Sequence, residues 1–196
     1  MRRLFLTHRS PYARKVWLVL LRKSLPVDLV VVDLANRSPE FVAISPIGKV
    51  PVLVDDDGTV VCDSTVICEY LEDRYTHVPT RPEGWEGRLA VRELEELGDS
   101  LADQAIAIFF GGQNGQPTEK ARGVAQRILA SLETAAPGDG GPFCGAWSYA
   151  DAAVLSALGY WTFRLGDDWR ATFPNLAAWN DVQDAHPDAV ATRPRV

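Results

Sequence analysis

Ile47, Gly48, Lys49, Val50, Pro51, Val52, Leu53 and Val54 put a proline at the mouth of an apolar, β-branched strand. Proline has no N–H to give to a ladder, so within a sheet it occupies an edge, a bulge or the first strand residue. A Val-Pro step in that place reads either as a trans strand start after a turn or as a cis peptide. One use of a cis bond is to turn the backbone groups of the preceding residue outward for a peptide-like ligand. The residues on either side decide between the two.

Upstream and downstream of this run, strand and helix signals alternate. Leu4 to Thr7 is strand-like, Pro11 to Lys23 helical and Val27 to Asp33 a β-branched strand. Ser38 to Ile44 forms a short helix. Strands follow at Val50 to Val54 and Thr59 to Cys62, joined by the turn Asp55, Asp56, Asp57, Gly58. Ser64 to Arg74 is a helix. The order βαβ then αββα predicts a mixed sheet with helices on its faces.

Thr76 to Gly84 has linker composition, with two prolines and no apolar period, and everything beyond it reads as helical. Leu94, Leu97, Leu101, Ala105 and Ile108 mark one apolar helix face. Glu93, Glu95, Glu96, Asp99 and Asp103 occupy much of the other, which reads as a solvated surface rather than a metal cluster. A loop at Gly111 to Pro117 ends this helix, and Thr118 to Ala135 forms the next. After the glycine-rich loop Pro137 to Pro142, Ser148 to Asp151 has capping-box spacing and opens a helix apolar on nearly every side, suited to a domain centre. Leu176 to Ala185 is the final helix, closed by His186 and Pro187.

The 196 residues suit one large or two small domains, and 46% hydrophobic content suits a globular chain. A formal charge of -6 and a pI near 5.1 argue against a general nucleic-acid binder, which needs clustered Lys and Arg. The longest apolar run, Val16 to Leu21, lies between Lys15 and Arg22 and is too short for a membrane span. The first residues lack signal-peptide organisation, so a cytoplasmic location is expected. Cys62, Cys68 and Cys144 lack metal or redox spacing and are expected as buried reduced thiols.

Two further places carry chemistry. Ser10, Pro11, Tyr12 lies where the first strand turns into the first helix, with Ser10 as N-cap and Pro11 as N1. Plain capping accounts for it; so does a cap hydroxyl facing a ligand, where the helix dipole favours an anion such as a thiolate. Asp63 and Ser64 precede the next helix and again fit a cap. As a pair they also fit the free amino-acid end of a peptide, with Ser64 on the carboxylate and Asp63 on the ammonium. His8 and Arg9 read as polar rim residues. Trp17, Trp161 and Trp179 read as core, while Trp85, Phe109, Phe110 and Tyr160 are candidates for an apolar pocket.

In order, spacing and context these pieces resemble a cytosolic-type glutathione transferase over nearly the full chain. Ser10 to Tyr12 is similar to the active-site turn, Gly48 to Leu53 to the cis-proline segment, and Asp63, Ser64 to the γ-glutamyl site. Ser148 to Asp151 and Pro174 to Trp179 resemble the capping box and the last-helix start of the helical domain. The resemblance implies a thioredoxin-like, glutathione-binding α/β domain at 1–75 and an all-helical domain at 84–196 that contributes the hydrophobic pocket. It implies that Ser10 hydrogen-bonds the glutathione thiolate, that Val50 pairs with the cysteinyl backbone beside cis Pro51, and that Lys49 reaches the glycine carboxylate.

With Ser10 on the thiolate, the resemblance implies the serine type. No tyrosine ends the first strand, where Thr7 and His8 stand, which speaks against a tyrosine-type mechanism, and no cysteine occupies position 10, which speaks against disulfide exchange through a protein thiol. The implied activity is conjugation of glutathione, as co-substrate, to a hydrophobic electrophile, as in detoxification, by a homodimer without metal. Two alternatives stay open: a binding or regulatory module with little turnover, and a glutathione-dependent reductase or isomerase.

Overall fold

A computed structural model describes residues 1–195; the last residue of the expected 84–196 range, Val196, lies outside the described residues. Strands β1 (Arg3–Leu6), β2 (Asp28–Val31), β3 (Val52–Val54) and β4 (Val60–Cys62) form one sheet in the order β2-β1-β3-β4. β1 pairs parallel with β2 and antiparallel with β3, and β3 pairs antiparallel with β4. Side chains alternate across a strand. Leu4, Leu6 and Leu53 therefore join the core beneath helices α1 (Pro11–Arg22) and α3 (Ser64–Arg74), while Phe5, Val52 and Val54 pack on the other face with Phe41 of α2 (Pro39–Ile44).

The second half is helical, with α4 (Trp85–Gln113), α5 (Glu119–Ala135), α6 (Tyr149–Leu165), α7 (Trp169–Thr172), α8 (Pro174–Asp184) and α9 (Pro187–Ala191). α6 is the central helix: Ser148 and Asp151 close the capping box, and twelve of its residues are buried. Its close approach to α4 is set by Gly98, where a Cβ would stand 2.8 Å from the backbone of Ala153 and Val154. The two halves share one hydrophobic core that runs from Leu4 and Val16 through Leu101 to Val154 and Trp179.

Several expectations need correction. β3 starts at Val52, leaving Val50 and Pro51 before the ladder, because the imide nitrogen cannot donate to it. α4 continues through Gly111 and Gly112 to Gln113; the Gly111 carbonyl accepts from the Gln116 amide, and a Cβ at Gly111 would stand 2.9 Å from the Thr118 methyl group. Pro187 does not merely close α8 but opens α9 as its first residue, with His186 as N-cap. The four-residue α7 is too short to leave a periodic signal.

Thr76 to Gly84 is not a free linker. Thr80 is fully buried, donates from its N–H and hydroxyl to Glu72, and accepts from the Tyr149 amide; Lys23 Nζ donates to the Val78 carbonyl. The acidic face of α4 is not wholly solvated either. Lys15 of α1, fully buried, places its ammonium 2.8 Å from Glu95 and 2.6 Å from Asp99. Cys68 is buried, but Cys62 and Cys144 are only half-buried; all three are free. Trp161 and Trp179 are core residues and Trp17 is partly buried against the core.

Candidate active site

Ser10 leaves β1 with extended dihedrals and caps α1: its Oγ accepts from the Ala13 N–H at 3.2 Å, and Pro11 supplies the first helical position. A serine hydroxyl can accept and donate at once. Among the described residues the Ser10 hydroxyl has no acceptor, so its proton is available to a group in the adjoining cleft. The N-terminus of a 12-residue helix adds unpaired N–H groups and a positive dipole end.

The segment opposite is pinned from both sides. Gly48 has a φ of 65°, in the left-handed region that glycine tolerates, and its carbonyl accepts from Arg37 Nε at 2.9 Å. Ser45 Oγ donates to the Lys49 carbonyl and accepts from the Lys49 amide. The Val50–Pro51 peptide is cis. Val50 and Pro51 thus stand on the cleft wall with the Val50 backbone outside the β-ladder.

At the start of α3, Asp63 has a φ of 76° and accepts from the Thr65 N–H through Oδ1 at 2.9 Å, leaving Oδ2 without a partner among the described residues. Ser64 is buried to 4% exposure, and its hydroxyl has no partner among them either. Both line a cavity of about 320 Å³ together with Pro51 and the carboxylates Glu96, Asp99 and Asp103 of α4. A hydroxyl and free amide on one side, with carboxylates on the other, suit a ligand end that carries both carboxylate and ammonium.

A larger cavity of about 750 Å³ adjoins it, sharing Tyr12, Lys49, Val50 and Asp103. Ser10 and Arg9 lie on its α/β wall, and Ile106, Phe109 and Phe110 of α4 with Tyr160 and Arg164 of α6 form the helical wall. The sequence-derived site residues are therefore brought together: Ser10 in the larger cavity, Pro51, Asp63 and Ser64 in the smaller, Lys49 and Val50 in both. Phe109, Phe110 and Tyr160 line the larger cavity, but Trp85 does not; it is 64% exposed at the start of α4. His8 stays outside both, its ring 5.9 Å from Trp17.

Sequence reasoning named Tyr12 only as part of the Ser10 turn, with no role of its own, and missed Asp99, Asp103, Arg37 and Arg164 as cleft residues. Tyr12 donates to Asp103 across the cleft, and burial together with that bond pushes the Tyr12 phenol well above its ordinary range. Burial also raises the Asp99 carboxyl, against the pull of Lys15. Burial raises the Tyr160 phenol, opposed by the charges of Arg164 and Arg9. Only an acidic run spaced along one helix signalled Asp99 and Asp103, and nothing local signalled Arg164.

Comparison with known proteins gives a consistent picture. Residues 9–74 match the family model for the glutathione S-transferase N-terminal domain, and residues 88–180 that for the C-terminal domain. A glutathione S-transferase from Methylobacillus flagellatus KT, solved with glutathione bound, is 33% identical, covers 100% of both chains and superposes with a TM-score of 0.90. The uncharacterized GST-like protein YibF of Escherichia coli K12 is 28% identical over 87% of each chain. The pyrimidodiazepine synthase of Drosophila melanogaster is 28% identical over 96% of this chain and 79% of its own length.

Proposed function

Because the chain belongs to the glutathione S-transferase family, we propose that it binds glutathione across the two adjoining cavities and conjugates its sulfur to an electrophile in the larger one. The observation that carries this reading is Ser10. It caps α1 on the cavity wall with its hydroxyl proton uncommitted among the described residues.

On this reading the smaller cavity takes the γ-glutamyl end. The Ser64 hydroxyl and amide hold its carboxylate, and Asp63 Oδ2 with the α4 carboxylates receives its ammonium. The Val50 N–H and C=O pair with the cysteinyl backbone, and Lys49 with Arg37 holds the glycine carboxylate. The sulfur then lies at Ser10, where the hydroxyl and the N-terminus of α1 favour thiolate over thiol. The thiol proton leaves to solvent. The sulfur lone pair forms the new S–C bond as the leaving group departs with its bonding electrons. The protein contributes orientation and a fixed electrostatic environment, and no protein nucleophile is needed.

The glutathione seen in the Methylobacillus flagellatus neighbour supports the ligand. The reading extends to a cytoplasmic protein with reduced thiols, and to a homodimer that covers apolar side chains such as Val66, Trp85 and Leu89, all exposed in the single chain. No helix among the described residues is long and apolar enough to cross a membrane. A glutathione-dependent reductase or isomerase is the second reading, kept because one similar protein, the pyrimidodiazepine synthase, is named for an activity other than glutathione transfer.

Retention on immobilised glutathione, combined with conjugation and disulfide-reduction assays, separates these. Retention with conjugation is expected. Retention with reduction alone gives the second reading, retention without turnover makes the protein a binding module, and neither retention nor turnover overturns the proposal.

A further inference from the structure

Resting on the glutathione reading of the adjoining site, we propose that the second substrate is an apolar or aromatic electrophile bearing a carboxylate or sulfonate, held with its anion against Arg164 and Arg9.

The larger cavity is not simply hydrophobic. Its helical wall offers Phe109 and Phe110, yet Arg164 stands among them, its Cζ 4.5 Å from the ring centroids of both Phe109 and Phe163. A guanidinium on aromatic faces keeps its charge while its rim N–H groups stay open for a planar oxyanion. Arg164 Nε is buried with no hydrogen-bond partner among the described residues, and no carboxylate lies within ion-pair distance of Arg164 or Arg9 there.

Arg164 Cζ lies 5.9 Å from the ring centroid of Tyr160, and Arg9 lines the same cavity. Asp103 is the cavity's carboxylate, and it accepts the Tyr12 hydroxyl instead. Lys49 and Arg37 line the cavity beside Gly48, where on the glutathione reading they serve the glycine carboxylate. Arg164 and Arg9 therefore remain for the second substrate, with the rings of Phe109 and Phe110 on the same helical wall as Arg164. A charged group bound equally in ground and transition states lowers KM and leaves kcat little changed.

The test uses chlorodinitrobenzene and its carboxylate-bearing analogue chlorodinitrobenzoate. In both, the glutathione sulfur bonds to the ring carbon while chloride leaves with the C–Cl electron pair. A parallel fluorescence titration without glutathione uses anilinonaphthalene sulfonate and uncharged phenylnaphthylamine. We expect kcat/KM for the benzoate to exceed that for the neutral compound by about tenfold or more, mainly through KM. Arg164→Met should cut that ratio by a similar factor, and Arg164→Lys should retain most of it. Conjugation of both compounds at one rate, with a ratio insensitive to Arg164→Met, overturns the inference and leaves the transferase reading intact. If neither compound is conjugated, the transferase reading fails and the titration decides: a preference for the sulfonate lost in Arg164→Met upholds the anion site, and no preference overturns it.

Discussion

At the scale of single residues, Ser10 caps α1, and the role proposed for it at the thiolate separates from the cap by experiment. A hydrogen bond to a charged group contributes about 1.5–3 kcal/mol, so Ser10→Ala should lower kcat/KM for conjugation about ten- to a hundredfold. Loss of the Ala13 cap should cost about 1 kcal/mol of stability, read as a lower urea midpoint. Ser10→Thr, which keeps a capping hydroxyl, should retain the stability; full activity in Ser10→Ala would remove the hydroxyl from the chemistry. Ser10, Pro51, Asp63 and Ser64 each carry a local signal, at a cap or a strand entrance, but that signal equally fits plain capping or a strand start, and the family resemblance is what joined them into a candidate site. Arg164 and the contact of Tyr12 with Asp103 were not legible, because they depend on which turn of one helix faces another. Glu95 and Asp99 read as solvated for the same reason: their partner Lys15 lies 80 and 84 residues away.

At the scale of elements, the cleft depends on how closely α4 and α6 pack, since the two helices supply its second wall. Gly98 sets that distance, with the α6 backbone 2.8 Å from where a Cβ would be. Backbone cannot rotate away as a side chain can. Gly98→Ala should therefore destabilise the protein by about 1–3 kcal/mol despite the better helix propensity of alanine. Equilibrium urea unfolding checks this: a lower midpoint with an unchanged slope is expected, and an unchanged or raised midpoint would show that the helices can part without cost. Strands and long helices were readable from their periods, and α6 from its capping box and continuous apolar surface. Element ends were less so. Glycine near the end of α4 and proline at the start of α9 are punctuation marks that each fit two grammars, and contacts with neighbouring segments chose between them.

At the scale of the whole molecule, buried ionic pins join distant parts of the chain. Arg14 of α1 donates to the Leu155 and Ala189 carbonyls, Lys15 meets Glu95, and Arg2 pairs with Asp55 at 2.8 Å. Burial alone would raise the Asp55 carboxyl; the Tyr75 and Tyr70 hydroxyls, the Asp56 amide and Arg2 outweigh it and hold it below its ordinary value. A depressed folded-state value stabilises the protein above the unfolded carboxylate range, near 3.9 for Asp, and that contribution is lost as pH falls through the folded value. Asp99 and Asp151, raised by burial, act in the opposite sense. The urea midpoint of Asp55→Asn should thus fall less steeply than wild type below about pH 4; parallel acid limbs would exclude Asp55 as the group lost. The Arg14 and Lys15 pins hold the helical wall over the α/β wall, so that Ser10 faces a cleft rather than solvent, while Arg2–Asp55 ties β1 to the β3–β4 turn. The central claim is that this cleft holds glutathione as a thiolate at Ser10. Its most direct test is the ultraviolet thiolate absorbance of protein-bound glutathione, titrated against pH in wild type and Ser10→Ala. The predicted result is a bound thiol that ionises at lower pH than free glutathione, shifted back toward the free curve by Ser10→Ala; a bound thiol titrating on the free curve would contradict it.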